Sequence, residues 1–216
     1  MARISKLLVR KALYFTVFIF LLVGGGWLIF TTNKIDLFLV LNRFHQKTLD
    51  SFFLFITFLG DGLCCILLSL LLLLKKPARR LSLTIFSAYL VSGIVAQILK
   101  HTWSAPRPRE IINTHLYHSF INGVTGAGWD SFPSGHTTSI FALATVLAMH
   151  FKQQAAGLGM LIIAILVGYS RIYLGQHFLQ DVAAGAVLGT ISGLVAFITF
   201  HYGTFPKGND GNLKQS

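Results

Sequence analysis

Apolar stretches at 12–30, 52–74, 81–99, 137–151, 155–174 and 182–202, separated by short polar segments, set the pattern of this chain. A soluble domain of similar length would show strands or amphipathic helices with one solvated face. Here the runs approach the roughly 20 residues that a helix needs to cross a bilayer. The pattern predicts an all-α fold: an integral membrane six-helix bundle made by a single domain over 1–203. The fourth stretch is short, which a helix packed inside a bundle tolerates. Segment 31–51 mixes apolar and polar residues and predicts a helix lying in the outer membrane interface. Residues 204–216 are polar and glycine-bearing and predict a flexible cytoplasmic tail.

Composition agrees with this reading: 54% of the 216 residues are hydrophobic and only 12% are charged. Mean hydropathy is +0.67. The first stretch follows Arg3, Lys6, Arg10 and Lys11, as a signal peptide would. However, its apolar core exceeds the roughly 7–15 residues of such a segment and no small-residue cleavage site follows, so an uncleaved span is favoured. An even number of spans puts both termini on one side. That side also carries Lys75, Lys76, Arg79, Arg80, Lys152, Lys207 and Lys214, which makes it the cytoplasm by the positive-inside rule. Much of the formal net charge of +11 is thereby topological, and no nucleic-acid partner is needed to explain it. On the opposite side Lys100, Arg107, Arg109 and Arg171 need another reason to exist. Cys64 and Cys65 are adjacent, match no metal-binding spacing, and read as small apolar fillers.

Three polar clusters supply that reason. "KHTWSAPRP" (100–108) ends the third stretch, where Lys100 is either a snorkelling lysine or an anion ligand. "FPSGHTTS" (132–139) opens the fourth; Ser134 suits an N-cap, but a Ser-Gly-His at a helix start also makes an anion site, with Gly135 permitting close approach and His136 adding a proton donor. "YSRIYLGQHFLQD" (169–181) joins the last two stretches. His177 and Asp181, four apart, share a helix face, so the carboxylate can hold one imidazole nitrogen and leave the other free. The bland alternative is a solvated loop with an incidental pair. Counting spans from a cytoplasmic start puts all three clusters at one membrane face. Three permanent cations, a serine, helix N-terminal amides and two histidines there make sense around a dianionic phosphate.

Together, K-x6-RP (Lys100, Arg107, Pro108), PSGH (Pro133 to His136) and SR-x5-H-x3-D (Ser170, Arg171, His177, Asp181) resemble the three-part signature of the type-2 phosphatidic-acid phosphatase superfamily. Every signature position is filled in order. "HFLQD" lacks the proline that many relatives have between the histidine and the aspartate, which touches no catalytic position. The resemblance implies that His177 attacks phosphorus, Asp181 holds the other ring nitrogen, and His136 protonates the leaving oxygen and then activates water. Lys100, Arg107, Ser134, Gly135 and Arg171 would bind the phosphate oxygens. It implies no metal and no cofactor; with the orientation read from the Lys/Arg bias, the expectation is a bacterial inner-membrane enzyme whose active site faces the periplasm.

The implied activity is phosphate release from a phosphorylated membrane lipid. Undecaprenyl diphosphate is favoured, with lipid A, phosphatidylglycerophosphate and phosphatidic acid as other candidates. A lipid phosphotransferase using the same phosphohistidine is one alternative. An anion transporter is another, although the internal repeats common in transporters are absent. Asp61, between Gly60 and Gly62, either pairs with a site cation or marks a helix irregularity. Tyr117, His118 and Trp129 are candidates for substrate contact by location alone. His45, His101, His115, His150 and His201 match no motif.

Overall fold

A computed structural model describes residues 9–203; Arg3, Lys6 and the expected tail at 204–216 lie outside the described residues. The helices are α1 (Ala12–Thr31), α2 (Lys34–Leu41), α3 (Lys47–Phe58), α4 (Gly62–Leu73), α5 (Arg79–Thr102), α6 (Pro108–Ile111), α7 (Gly135–His150), α8 (Gln154–Tyr173) and α9 (Leu179–Tyr202). Among the described residues there is no β-strand, and Ala105 and Asp130 form an isolated parallel bridge.

Among the described residues four helices are long and apolar enough to cross a membrane: α1, α5 with the turn before it, α8 and α9. The α3–α4 pair makes a fifth candidate as one span bent by 48°. The count is therefore four to five, against the six expected from hydropathy. The shortfall is α7, whose 16 residues reach about 24 Å at 1.5 Å per residue. The expected second span is broken because Asp61 caps a new helix, its carboxylate accepting from the Leu63 amide at 3.0 Å. Gly60 sits where a Cβ would lie 2.6 Å from Val167 Cγ1 and 3.0 Å from the His136 carbonyl, so only glycine fits the bend. Of the two readings of Asp61, the helix irregularity is the one found.

At the centre stands α7. Thr137, Thr138, Ala142, Thr145, Val146 and Ala148 are all buried, so the helix meets protein on every side. Its hydroxyls are satisfied internally: Thr138 donates to the Ser134 carbonyl at 2.9 Å, and Thr145 shares a 2.9 Å bond with Tyr14 of α1. Glycines at 185, 189 and 193 let α9 lie directly on α7; a Cβ at Gly193 would come within 2.7 Å of the Ala142 carbonyl. By contrast, α1 turns Phe20, Trp27 and Phe30 outward, as suits a lipid-facing helix.

Segment 31–51 is two elements rather than one interfacial helix. Asn33 caps α2 by accepting from the Ile35 amide at 2.9 Å. Phe38 of α2 is buried against the rings of Tyr117, Phe120 and Phe178. Packing on the 112–125 loop, not amphipathicity alone, positions it.

Gly193→Ala is expected to cost about 1–3 kcal/mol through overpacking against α7, read as a lower midpoint of thermal unfolding in detergent. Gly159→Ala on α8, where an added Cβ meets nothing within 4 Å, should leave that midpoint unchanged or raise it.

Candidate active site

The chain makes its sharpest turn between Arg171 and Asp181. Helix α8 ends in a Schellman arrangement: Gly175, at φ +65°, donates to the Ile172 carbonyl at 2.9 Å, and Gln176 donates to the Arg171 carbonyl at 2.9 Å. Here the positive φ requires glycine, and the turn swings His177 back over the end of α8, its amide bonded to the Arg171 carbonyl at 3.1 Å. Helix α9 then starts at once. Asp181, in its first turn, reaches back to accept from the Phe178 amide at 2.9 Å.

The start of α7 meets the start of α9. Ser134 donates its amide to the Asp181 carbonyl at 3.0 Å, and its hydroxyl caps α7, accepting from the Thr137 amide at 3.5 Å and from the Thr137 hydroxyl at 2.9 Å. The N-cap role of Ser134 is thus real, and its own O–H proton remains to be donated. Beside it, the space above Gly135 is open, with nothing within 4 Å of where a Cβ would stand. Two helix N-termini therefore meet at this point, an arrangement that favours negative charge. His136 lies at the same end, backed by Gly60.

Three cations converge from three elements. Lys100, in the last turn of α5, donates to the Asp130 carbonyl. Arg107 grips the Asp130 carboxylate with Nε at 2.9 Å and Nη2 at 3.1 Å, and its Nη1 donates to Gln176 Oε1. Arg171 is buried, donates from Nη1 to Thr57 Oγ1 at 2.8 Å, and has no protein partner at Nε. His136 lies in the fields of Arg171, Asp61, His177 and Arg107, so the groups share one electrostatic neighbourhood. Arg109 stands apart, held by the Thr125 carbonyl at 2.9 Å and Asn122 Oδ1 at 3.3 Å.

His177 is 2% exposed and Asp181 is fully buried. Their direct pairing is looser than the sequence suggests, with Nδ1 to Oδ2 at 3.7 Å. The Ser131 hydroxyl lies between them, donating to Asp181 Oδ2 at 2.6 Å and standing 3.2 Å from His177 Nδ1. Burial holds the His177 pKa down to about 4, opposed by Asp181 and reinforced by Arg171 and Arg107. The imidazole is therefore neutral at pH 7, with one nitrogen free to act as a nucleophile.

The family model for the PAP2 superfamily matches residues 81–205, more than half of the chain and all three clusters of the site. The chain belongs to the PAP2 superfamily. It is 31% identical to the undecaprenyl-diphosphatase BcrC of Bacillus subtilis over 71% of this chain and 76% of that protein. To the lipid A 4'-phosphatase of Porphyromonas gingivalis it is 29% identical, over 77% and 72% of the two chains. The crystal structure of Aquifex aeolicus LpxE superposes with a TM-score of 0.67 at 30% identity, covering 78% of this chain and 97% of that one.

The eight candidate site residues read from the sequence, Lys100, Arg107, Ser134, Gly135, His136, Arg171, His177 and Asp181, fall at the end of the bundle where α7 and α9 begin. Tyr117 does not join them. It is buried beside α2, donating to Asn42 Oδ1 at 3.2 Å, so its work is structural. His118 and Trp129 are exposed. Sequence reasoning missed Ser131, Asp130, Gln176 and Thr57. For the first two a signal existed: "DS" sits immediately before "FPSGH". Nothing in one sequence ties Thr57 to Arg171.

In the folded protein His177 takes up its proton only near pH 4, whereas in the unfolded chain it does so near pH 6.5. Between those values the unfolded state binds more protons, so the stability due to a neutral buried His177 falls as the pH drops. The unfolding midpoint of the wild-type protein should therefore decline more steeply from pH 7 to 4.5 than that of His177→Gln, which cannot titrate. Parallel declines would contradict the neutral buried state.

Proposed function

We propose that this PAP2 protein is a lipid phosphatase that works without a metal ion, releasing phosphate from a phosphorylated membrane lipid through a phosphohistidine. The observation that carries the reading is the meeting of a neutral, buried His177 with three cations and two helix N-termini. In the reaction His177 Nε2 attacks phosphorus and the bond from phosphorus to the lipid-side oxygen breaks. His136, as an imidazolium stabilised by the bound phosphate dianion, gives that oxygen a proton and, then neutral, takes one from the water that cleaves the phosphohistidine. Lys100, Arg107, Arg171, the Ser134 hydroxyl and the Gly135 amide stabilise the charge gathering on the equatorial oxygens. The cations supply the electrostatic stabilisation that a metal ion gives in other phosphoryl-transfer sites.

Undecaprenyl diphosphate is the favoured substrate, and lipid A is the next candidate, because relatives named for both activities cover more than two thirds of the chain. An open groove of about 600 Å³ runs along the face of α5 that carries Tyr89, Gly93, Gln97 and His101, toward the end that bears Lys100. That groove is the course we assign to the lipid chain. In this reading the chain is a multi-pass protein of a bacterial inner membrane, with α7 and the bent α3–α4 pair completing six segments. Both termini are cytoplasmic and the active site faces the periplasm. Lys75, Lys76, Arg79, Arg80 and Lys152, at the end of the bundle away from the site, support that orientation.

Purified protein with EDTA present should release phosphate from undecaprenyl diphosphate. His177→Ala should abolish release, and His136→Ala should slow it by about 10²–10⁴-fold. Substrate labelled in the terminal phosphate should leave an acid-labile label on the wild-type protein and none on His177→Ala. Full activity in His177→Ala would sink the mechanism. Label arriving on a second lipid instead of in free phosphate would make the enzyme a transferase.

A further inference from the structure

We infer that Ser131 is the positioning residue through which Asp181 acts on His177, a deepening that rests on His177 being the attacking group. The carboxylate oxygen nearest the ring, Asp181 Oδ2, is 3.7 Å from Nδ1, beyond hydrogen-bonding range. Ser131 Oγ closes that gap, at 2.6 Å from Oδ2 and 3.2 Å from Nδ1. The placement is built into the fold. Ser131 is fully buried, its amide donates to the Ala105 carbonyl at 3.0 Å, and its neighbour Asp130 is clamped by Arg107 and Lys100.

Donor counting fixes the consequence. A serine hydroxyl has one proton and, facing a carboxylate, gives it to Asp181. Only a lone pair is then left for the ring, so Nδ1 must carry the hydrogen. A neutral imidazole protonated at Nδ1 has its lone pair on Nε2, the nitrogen that attacks phosphorus in the proposed mechanism. Ser131 thus selects the reactive tautomer. When Nε2 bonds to phosphorus and the lipid-side oxygen departs with its electron pair and a proton from His136, the ring becomes cationic while keeping Nδ1–H. The chain of two hydrogen bonds to Asp181 stabilises that charge, and the reverse shift occurs when water cleaves the Nε2–P bond.

The test uses the full-length protein in detergent with undecaprenyl diphosphate as substrate. Ser131→Ala should lower kcat by about 10–100-fold, on the scale of the loss when the hydrogen-bonded partner of a metal-bound imidazole is removed, with KM little changed. Ser131→Thr, which keeps the hydroxyl, should recover most of the rate. Nitrogen-15 spectra of histidine-labelled wild-type protein should show His177 neutral with hydrogen on Nδ1, a readout that needs no variant to fold. Hydrogen on Nε2, a wild-type kcat in Ser131→Ala, or equal losses in the Ala and Thr variants would overturn the inference. His177→Ala run alongside separates the two levels: its inactivity with a fully active Ser131→Ala removes only the serine link, whereas activity in His177→Ala removes the nucleophile and the link together.

Discussion

The 3.0 Å bond from the Ser134 amide to the Asp181 carbonyl joins two helix N-termini that lie almost fifty residues apart in sequence. Everything at the site hangs from that junction. On one side it holds the open end of α7, with Ser134, Gly135 and His136. On the other it holds the first turn of α9, with Asp181 and, one residue before the cap, His177. Glycines make the approach possible. A Cβ at Gly185 would fall 2.7 Å from the Ser134 carbonyl, so α9 can reach the start of α7 only along a strip without side chains. The geometry of the candidate site and the packing of the helices are the same contact seen at two scales.

That contact also explains why polar groups are tolerated so far from water. Asp181 is fully buried, yet it is a carboxylate in the first turn of a helix, accepting from the Phe178 amide and the Ser131 hydroxyl. The helix dipole and two donors stabilise its charge. Arg171, nearly as buried, rests on Thr57, and Arg107 on Asp130. Without such partners each cation would bear the desolvation cost of a buried charge.

Sequence made the candidate site legible and the scaffold less so. The three clusters were readable because charge inside an apolar chain has few reasons to exist, and their spacing placed them at one end of the bundle. Hydropathy counted six stretches because it averages over windows; it sees apolar content but neither the cap at Asp61 nor the bend it causes. The same averaging shows α7 as one more apolar stretch and misses that its threonines bond to the backbone and to Tyr14 inside the protein. Thr57 and Gln176, missed altogether, are neutral and common, and gain meaning only from what they touch. A tertiary contact over more than a hundred residues, such as that from Arg171 to Thr57, leaves no local trace.

The bend at Gly60 to Gly62 then appears as part of the site. A straight helix through 52–74 would carry Thr57 and the His136 backing onward as one rigid rod. Breaking it at Asp61 lets α3 end beside Arg171 while α4 sets off in a new direction along α5, with Gly62 against Tyr89. Arg171 is thereby oriented before any substrate arrives. Arg107 is prepared in the same way: Asp130 occupies its Nε–Nη2 edge and Gln176 one hydrogen of Nη1, which leaves an Nη1 and an Nη2 hydrogen unassigned. In the proposed mechanism the phosphate adds to cations already held in place, so little of its binding energy is spent on ordering them.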